Sequence, residues 1–271
     1  MHAPDWLVGE FISRPGGDIP TLLRNVSAPV WAGGHLVAKM HPTPSQARHE
    51  QLLAQRFQSA FNRVTAPLGV STPPDGVGML SWWLRLPDHR PAAPAKAIRW
   101  LRTAHDHTPT ADLPSAPLLV PSRPPHHDAI ALHEALAPWR RQALDAAAKL
   151  AGLPAVVIHG DANPTNIVDC GPPSAVALDF GLSGRGPRVY DVATVTVLAT
   201  ETGTATTQHV LDTYGHHRDV TPTLLRTAAQ LVAINRAQAC TWAPWLDEGW
   251  SRLHALHEQR PFLFAPEDHP K

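Results

Sequence analysis

The sequence predicts an α+β fold in which a small β-rich part precedes a larger, mainly helical part. Residues 21–40 and 64–86 contain short runs of β-favouring residues separated by glycine and proline turns, which is the pattern of antiparallel strands. From Pro94 onward, apolar residues recur three and four positions apart, as they do on the buried face of a helix. A proline-rich stretch lies where the two patterns meet, and we expect it to act as a hinge.

The change of pattern sets the expected domain boundaries. Residues 1–83 are expected to form the first lobe, an antiparallel sheet with one acid-bearing helix. Residues 84–94 are expected to form the hinge, and residues 95–271 the second lobe. A chain of this length can bury a substantial core.

Composition excludes several classes of protein. The 271 residues are 43% hydrophobic and have a formal net charge of zero, which argues against a nucleic-acid binder or a polybasic membrane anchor. Cys170 and Cys240 are too few for a disulfide framework and indicate free thiols in a reducing compartment. No apolar run is long enough to span a bilayer and no targeting signal is visible, so we expect no membrane association and a cytoplasmic location.

The β-rich part contains a predicted hairpin followed by a helix. Gly33-Gly34 separates two β-favouring runs, and the second run, His35 to Met40, carries Lys39 near its end. The following segment opens with residues that can cap a helix and then places apolar side chains at helical spacing. Glu50 is the acid of that segment.

The second part contains several helical segments. A proline-rich loop covers residues 108–125, and the stretch 128–150 is expected to be one long helix bent at Pro138. Further helices are expected over these ranges: 95–107, 207–215, 221–240 and 246–258.

The most informative stretch runs from Val156 to Gly181. Two apolar runs flank a polar loop that is broken by proline. His159-Gly160-Asp161 follows the first run, Asn166 comes five residues after Asp161, and Asp179-Phe180-Gly181 follows the second run. The order of strand, loop, strand and acid has the spacing of a kinase catalytic centre.

The residue types in this stretch suit phosphoryl transfer, which needs a metal on the triphosphate and a group that orients the attacking hydroxyl. Asp161 follows a buried strand and can act as the catalytic base or orienting group. Asn166 and Asp179 offer an amide and a carboxylate oxygen, the ligands that Mg²⁺ prefers. Each residue alone is common in turns; their order and spacing together indicate the site.

Lys39 and Glu50 are the expected partners of this centre in the first lobe. Lys39 ends an apolar L-V-A-K strand, like the lysine of V-A-I-K in kinases. Glu50 lies on the next helix, at a distance suited to the ion pair that holds such a lysine on nucleotide phosphates. A lysine at the end of a strand is often just a solvated side chain, so the functional assignment of this ion pair depends on the motifs further along the chain.

The chain resembles the aminoglycoside phosphotransferase and choline kinase family. The resemblance rests on H-G-D-x-x-x-x-N, L-D-F-G, L-V-A-K, the W-L-R-T-A-H helix and the Y-D-V-A segment, and it covers most of the chain. It implies a two-lobed, protein-kinase-like fold and Mg²⁺-dependent transfer of the γ-phosphoryl group of ATP or GTP to a small-molecule hydroxyl. In such a fold the first lobe would bind the nucleotide, and the second lobe would carry the catalytic loop, the metal site and the acceptor-binding helices. By periodicity, residues 190–200 can be strand or helix; their β-branched content favours a strand, and their place after a kinase-like core favours a helix.

The resemblance also implies supporting roles. His159 is expected to brace the catalytic loop through the backbone, and Asp191 to support the same loop, although Asp191 can equally cap the next helix. Ser27 lies where a glycine-poor phosphate loop belongs and can bond a phosphate, or it can form an ordinary hairpin turn. Trp82 or Trp83 can stack on the nucleotide base or belong to the core.

The sequence indicates the acceptor-binding residues less clearly than the residues for phosphoryl transfer. Cationic aminoglycosides need carboxylates, and the segment Cys240–Trp250 can line a pocket or belong to the core. The phosphate region can also include Arg185 and Arg188, although pairing within the protein is the simpler role for both. The acids available for ammonium groups are Glu201, Asp212, Asp219, Asp247 and Glu248.

The leading hypothesis is therefore an O-phosphotransferase for an antibiotic-like natural product, with a role in antibiotic resistance. One alternative within this class is a kinase of a metabolite such as choline or homoserine. A second is a catalytically silent, kinase-like nucleotide-binding module, which the intact Lys39, Asp161, Asn166 and Asp179 argue against. A protein kinase is disfavoured because H-G-D replaces H-R-D and no A-P-E follows D-F-G.

Overall fold

The computed structural model describes residues 3–25, 29–61, 63–86, 89–119, 123–171, 175–242 and 246–258. Its α-helices are α1 Asp5–Ser13, α2 Pro44–Phe61, α3 Pro94–His107, α4 Ile130–Ala135, α5 Ala137–Ala151, α6 Arg188–Glu201, α7 Thr207–Tyr214, α8 Pro222–Ala239 and α9 Leu246–His257. Its strands are β1 Thr21–Asn25, β2 Pro29–Gly33, β3 Leu36–His41, β4 Pro67–Ser71, β5 Met79–Leu84, β6 Arg90–Pro91, β7 Ala155–Ile158, β8 Ile167–Asp169, β9 Ala175–Ala177 and β10 Gly184–Pro187. Short 3₁₀ helices cover His127–Ala129 and Cys240–Trp242.

The chain divides into two compact units. Unit 1 comprises Met1–Pro91 together with Asn166–Gly181, and unit 2 comprises Ala92–Thr165 together with Leu182–Lys271. Unit 1 holds the larger sheet and unit 2 holds most of the helices, which is the α+β composition that the sequence predicted.

The main sheet of unit 1 is antiparallel, with strand order β1-β2-β3-β5-β4. The glycine pair forms the predicted hairpin between β2 and β3, and Gly34 takes a φ of +58°, which glycine adopts without a steric cost. Side chains alternate along β3, so Leu36 and Ala38 join the core formed with α1. Lys39 therefore lies on the opposite face of the strand.

Helix α2 packs against β3, β4 and β5. Its buried face contains Ala47, Leu53 and Phe57 at helical spacing, and each of these side chains is fully buried. Glu50 lies among them and is only 1% exposed. A buried carboxylate needs a charged or hydrogen-bonding partner, so the helix delivers an acid to a place where a cation must meet it.

A small sheet completes unit 1, with strand order β6-β8-β9. β8 and β9 form an antiparallel hairpin in which Ile167 pairs with Ala177. One step further on, Leu178 donates its backbone N–H to the carbonyl of Asn166 at 2.8 Å. The hairpin therefore puts Asn166 and the residues after Leu178 at the same end of the two strands.

Unit 2 is built around α6, in which every residue from Arg188 to Ala199 is buried. This finding resolves the ambiguity over residues 190–200 in favour of a helix. Burial on all sides outweighs the β propensity of the Thr and Val residues. Thr194 and Thr196 each donate a hydroxyl to the carbonyl four residues earlier, so their polar groups are satisfied inside the helix.

The stretch 128–150 differs from the expected bent helix, because it forms α4 and α5 as two separate helices. α4 ends at Ala135 and α5 begins at Ala137, with Pro138 in its first turn. Proline lacks an N–H and is accepted at this position, where no intrahelical bond is lost. The proline therefore starts a new helix.

Candidate active site

Lys39 and Glu50 form a buried ion pair in unit 1. The Lys39 ammonium donates to both carboxylate oxygens of Glu50, at 3.1 Å to Oε1 and 3.0 Å to Oε2. The lysine comes from β3 and the glutamate from the buried face of α2. Two bonds between one ammonium and one carboxylate fix the position of the lysine head group.

Asp179 is a second anionic partner of Lys39. Its Oδ1 accepts a hydrogen bond from Nζ at 2.7 Å. The Asp179 backbone has a φ of +59°, a left-handed conformation that non-glycine residues rarely adopt. The next residue, Phe180, donates its N–H to Glu50 Oε1 at 3.1 Å, and its buried ring lies 5.3 Å from the ring of Phe57. The packed ring and the hydrogen bond hold the D-F-G turn in this strained conformation.

The three charged groups change one another's pKa. Burial alone would lower the pKa of the Lys39 ammonium, but Glu50 and Asp179 outweigh it and raise the pKa to about 12. Burial raises the pKa of the Glu50 carboxyl, and Lys39 opposes that shift. Lys39 is therefore a permanent cation between two acids.

Asn166 and Asp179 are the predicted metal ligands, and both lie in unit 1. Asn166 immediately precedes β8 and is only 3% exposed, while Asp179 follows Leu178, which pairs with Asn166 across the hairpin. An amide oxygen and a carboxylate oxygen at the same end of a hairpin are hard donors, the class that Mg²⁺ prefers. The residues present therefore fit a magnesium ion.

The His-Gly-Asp loop lies in unit 2, directly after β7. Gly160 has a φ of +81°, and a Cβ there would collide with the Leu182 carbonyl. This close approach explains why the position holds glycine. Ser183 donates its hydroxyl to the His159 carbonyl at 2.6 Å, which joins the loop to the chain just before β10.

Asp191, from the first turn of α6, binds the same loop. Its carboxylate is fully buried and accepts the backbone N–H of His159 at 2.7 Å and that of Gly160 at 2.9 Å. His105 on α3 approaches the carboxylate through Nε2 at 3.1 Å, and its Nδ1 lies 2.9 Å from the Tyr214 hydroxyl. Because the carboxylate accepts from two backbone N–H groups, its position determines the shape of the loop.

The structure gives His159 backbone contacts, because its Nδ1 accepts the N–H of Asp161 at 3.3 Å. Asp161 is partly buried, and its Oδ1 accepts the side-chain N–H of Asn163 at 3.0 Å. Asn163 in turn accepts both the backbone N–H and the hydroxyl of Thr165 through its Oδ1. These bonds orient the Asp161 carboxylate within its own loop.

The structure does not support the predicted ligand contacts of the two tryptophans and of Arg188, because these side chains pack or pair within the protein. Trp82 is fully buried in the core with α1, and Trp83 packs near Phe180, so both belong to the core. Arg188 donates to Asp106 at 3.0 Å and is paired within the protein. Ser27 lies outside the described residues.

The family of this chain follows from its sequence as a whole. The family model described as "APH: Phosphotransferase enzyme family" matches residues 32–231, which is most of the chain. The chain belongs to this family. It is a phosphotransferase, a kinase that acts on hydroxyl groups. No curated protein sequence matches it.

The fold of this phosphotransferase is similar to that of solved kinases. A thermostable mutant of aminoglycoside phosphotransferase APH(4)-Ia, in its apo form, has a TM-score of 0.69 and 12% identity over 96% of this chain and 99% of that chain. Spectinomycin phosphotransferase APH(9)-Ia, in complex with ADP and spectinomycin, has a TM-score of 0.66 and 10% identity over 96% and 97%. A choline/ethanolamine kinase family protein from Mesorhizobium loti has a TM-score of 0.62 and 17% identity over 95% and 96%. At these identities the similarity shows the fold.

Most of the acids proposed for a cationic acceptor are engaged within this phosphotransferase. Arg252 donates to Glu201 at 2.6 Å and to Glu248 at 2.7 Å. Asp219 is largely buried and lies 3.7 Å from Nε of Arg218. Asp212 accepts from a glutamine, and Asp247 lies in the first turn of α9.

None of the helices in the described part of the chain combines the length and apolar character that a bilayer crossing needs.

Sequence reasoning missed some contacts of the phosphotransferase site. The hydrogen bond from Asn163 to Asp161 was not predicted, because it depends on the folded shape of the loop. The predicted strand run ended at Met40 and left His41 outside it, whereas β3 includes His41, which lies two positions after Lys39 and so shares its face of the strand. That spacing was the available signal for His41.

Proposed function

We propose that this phosphotransferase moves the γ-phosphoryl group of ATP or GTP to a hydroxyl of a small natural product such as an antibiotic, with Mg²⁺ and with Asp161 as catalytic base. The observation that carries the proposal is Lys39, which donates to Glu50 and to Asp179 together. A strand lysine that is paired with a helix glutamate, beside the acid of a D-F-G turn, is the arrangement that kinases use to hold nucleotide phosphates and their metal.

Each residue has one role in this proposal. Lys39 binds phosphate oxygens of the nucleotide, and Glu50 keeps it in place. Asn166 and Asp179 hold Mg²⁺, which would neutralise charge on the triphosphate when bound. Ser27, outside the described residues, is a proposed phosphate contact. ADP in the spectinomycin phosphotransferase structure supports a nucleotide as the donor.

Asp161 is proposed to accept the proton of the acceptor hydroxyl or to orient that hydroxyl for attack. Its carboxylate is oriented by Asn163, and the loop that carries it is bound by Asp191. A general base contributes most when its geometry is fixed before the substrate arrives. The bonded loop supports this role for Asp161 and supporting roles for His159 and Asp191.

The ion pairs of unit 2 bear on the class of acceptor. Glu201 and Glu248 share Arg252, which offsets part of the negative charge that they would offer to an ammonium group. We therefore infer an acceptor with few positive charges, such as a neutral or weakly basic hydroxylated antibiotic. Phosphorylation of such a compound would give the host resistance to it.

The test is an acceptor screen with γ-labelled ATP and GTP, with and without Mg²⁺. The panel contains aminoglycosides, neutral hydroxylated antibiotics, choline and amino alcohols, and Asp161→Asn serves as the inactive control. Mg²⁺-dependent transfer to a neutral antibiotic supports the whole proposal, and preferred transfer to polycationic aminoglycosides overturns the inferred acceptor class. Nucleotide binding without transfer to any acceptor favours the silent-module alternative.

A further inference from the structure

His41 is a buried histidine to which the mechanism above gives no role. It is only 4% exposed and lies on β3 two residues after Lys39. Side chains at positions i and i+2 of a strand share one face, so His41 projects on the Lys39 side of the sheet. Ser81 of β5 faces the same side, because it is the register partner of Lys39.

The His41 imidazole contacts the acid that holds Lys39. Its Nε2 lies 3.3 Å from Oε2 of Glu50 and 2.8 Å from Oγ of Ser81. The indole N–H of Trp83 donates to the same Ser81 oxygen at 2.9 Å. A continuous row of buried polar groups therefore runs from the indole of Trp83 to the carboxylate that binds Lys39.

The partners determine which nitrogen of His41 carries the proton. An ionised carboxylate only accepts hydrogen bonds, so a lone pair on Nε2 would face another lone pair at Glu50 Oε2. The proton therefore belongs on Nε2, which hydrogen-bonds Ser81 Oγ at 2.8 Å and faces Glu50 Oε2 at 3.3 Å. Burial, together with Lys39, lowers the pKa of the imidazole to about 4. His41 is consequently an uncharged donor at neutral pH, and it does not compete with Lys39 for the negative charge of Glu50.

Glu50 then receives donors at both oxygens. Oε1 accepts from Lys39 and from the Phe180 N–H, and Oε2 accepts from Lys39 and faces His41. Without the imidazole, Oε2 would keep only Lys39, and the carboxylate could rotate within its buried site. Such a rotation would move the lysine head group away from its position.

We propose that His41 is a positioning residue for phosphoryl transfer, which holds Glu50 so that Lys39 stays placed for nucleotide phosphates. The proposal rests on the proposed function, because that function assigns Lys39 to the nucleotide. The hydrogen-bond partners that orient metal ligands act in a comparable way, and their loss costs about 10- to 100-fold in affinity or activity.

Two substitutions separate the hydrogen bond from packing. His41→Leu removes the N–H donor and fills the site with an apolar side chain of similar size. His41→Gln instead keeps an N–H donor that can reach the position of Nε2. His107→Leu, at an exposed histidine on α3, is the matched control. Binding of Mg²⁺ with a non-hydrolysable ATP analogue is measured by calorimetry, and thermal unfolding of each variant is followed to confirm that it is folded.

The expected result is that His41→Leu weakens nucleotide binding by roughly 10-fold or more. His41→Gln and His107→Leu should remain within about 3-fold of the parent, a difference of less than 1 kcal/mol. Equal binding by folded His41→Leu and the parent overturns the proposal, and so does a loss in His41→Gln as large as that in His41→Leu.

The side-chain NMR signal of the Lys39 ammonium separates this proposal from the proposed function. In His41→Leu the signal should shift and exchange faster with water, whether or not nucleotide binds. If the parent protein does not bind the nucleotide, the proposed function fails, and the Lys39 signal then decides the role of His41. An unchanged Lys39 signal in His41→Leu overturns that role.

Discussion

The backbone N–H of Phe180 donates to Oε1 of Glu50 at 3.1 Å, although 130 residues separate the two in sequence. Glu50 also binds Lys39, so one buried carboxylate joins β3, α2 and the D-F-G turn. A buried acid with several donors is costly to alter, because each donor loses a charged partner at once. The stability of unit 1 is therefore coupled to the geometry of its lysine.

Glu50→Gln tests this coupling. The amide keeps the shape of the side chain but removes the negative charge, so we expect a loss of roughly 3 kcal/mol in the free energy of unfolding. Nucleotide affinity should fall as well. The matched control is Glu10→Gln, at a half-exposed pair with Arg14, where the cost should stay below about 1 kcal/mol. Urea unfolding of both variants makes the comparison, and equal losses would contradict the coupling.

Asp191→Asn should affect activity more than nucleotide binding. The buried carboxylate accepts the N–H groups of His159 and Gly160, and an amide would turn one donor toward them. A displacement of the loop by about 1 Å can cost on the order of 100-fold in kcat. We expect that loss in a transfer assay, with nucleotide affinity nearly unchanged. Asp145→Asn, at an exposed acid on α5, should retain activity, and similar kcat values for the two variants would argue against the loop-support role.

Gly160→Ala should destabilise the loop through the backbone. At Gly160 a Cβ meets the Leu182 carbonyl in addition to a φ of +81°, whereas at Gly203 the φ is +66° and the space is open. Gly203→Ala should therefore cost about 1 kcal/mol from the left-handed conformation alone. Gly160→Ala should cost about 3 kcal/mol or more and reduce transfer, because the clash adds to that strain. Chemical denaturation measures both, and equal costs would show that the loop can move aside.

Asp161→Asn tests the proposed base directly. The amide cannot accept a proton, so kcat should fall by roughly 10³-fold while nucleotide affinity stays within a few-fold. Asp145→Asn, at an exposed acid on α5, is the control for a change of surface charge. Transfer kinetics and calorimetry give the two readouts. Turnover retained at the parent level would remove Asp161 from its role.

Much of the fold and part of the candidate site could be predicted from sequence. Local sequence patterns correctly predicted the hairpin at Gly33-Gly34 and the helix with Glu50, because turn chemistry and helical periodicity depend on neighbouring residues. The order of the elements did not reveal that Asn166–Gly181 groups with Met1–Pro91 in one compact unit. That grouping depends on long-range packing that no local pattern records.

The same limit applies to single residues. His41 needed the register of β3 against β5 and the packing of α2 before its contact with Glu50 was visible. Pro138 looked like a bend and instead starts a helix, because a proline signal does not distinguish the two outcomes. The roles assigned to Asp161, Asn166 and Ser27 stay predictions.

The buried imidazole of His41 should make stability depend on pH in a defined window. Its ordinary pKa of 6.5 falls to about 4 in the folded protein, where it is packed with Lys39, Glu50 and Ser81. Between these values the unfolded chain binds a proton that the folded chain does not, so stability falls as pH decreases from 6.5 towards 4. The contribution of His41 to the free energy of unfolding, complete above pH 6.5, is up to about 3 kcal/mol.

His41→Gln removes this titrating group, so its free energy of unfolding should decrease less than that of the parent between about pH 7 and about pH 4.5. Urea unfolding at the two pH values measures the difference, with His107→Gln as the control. Parallel decreases in the parent and in His41→Gln would show that His41 is not the group that titrates.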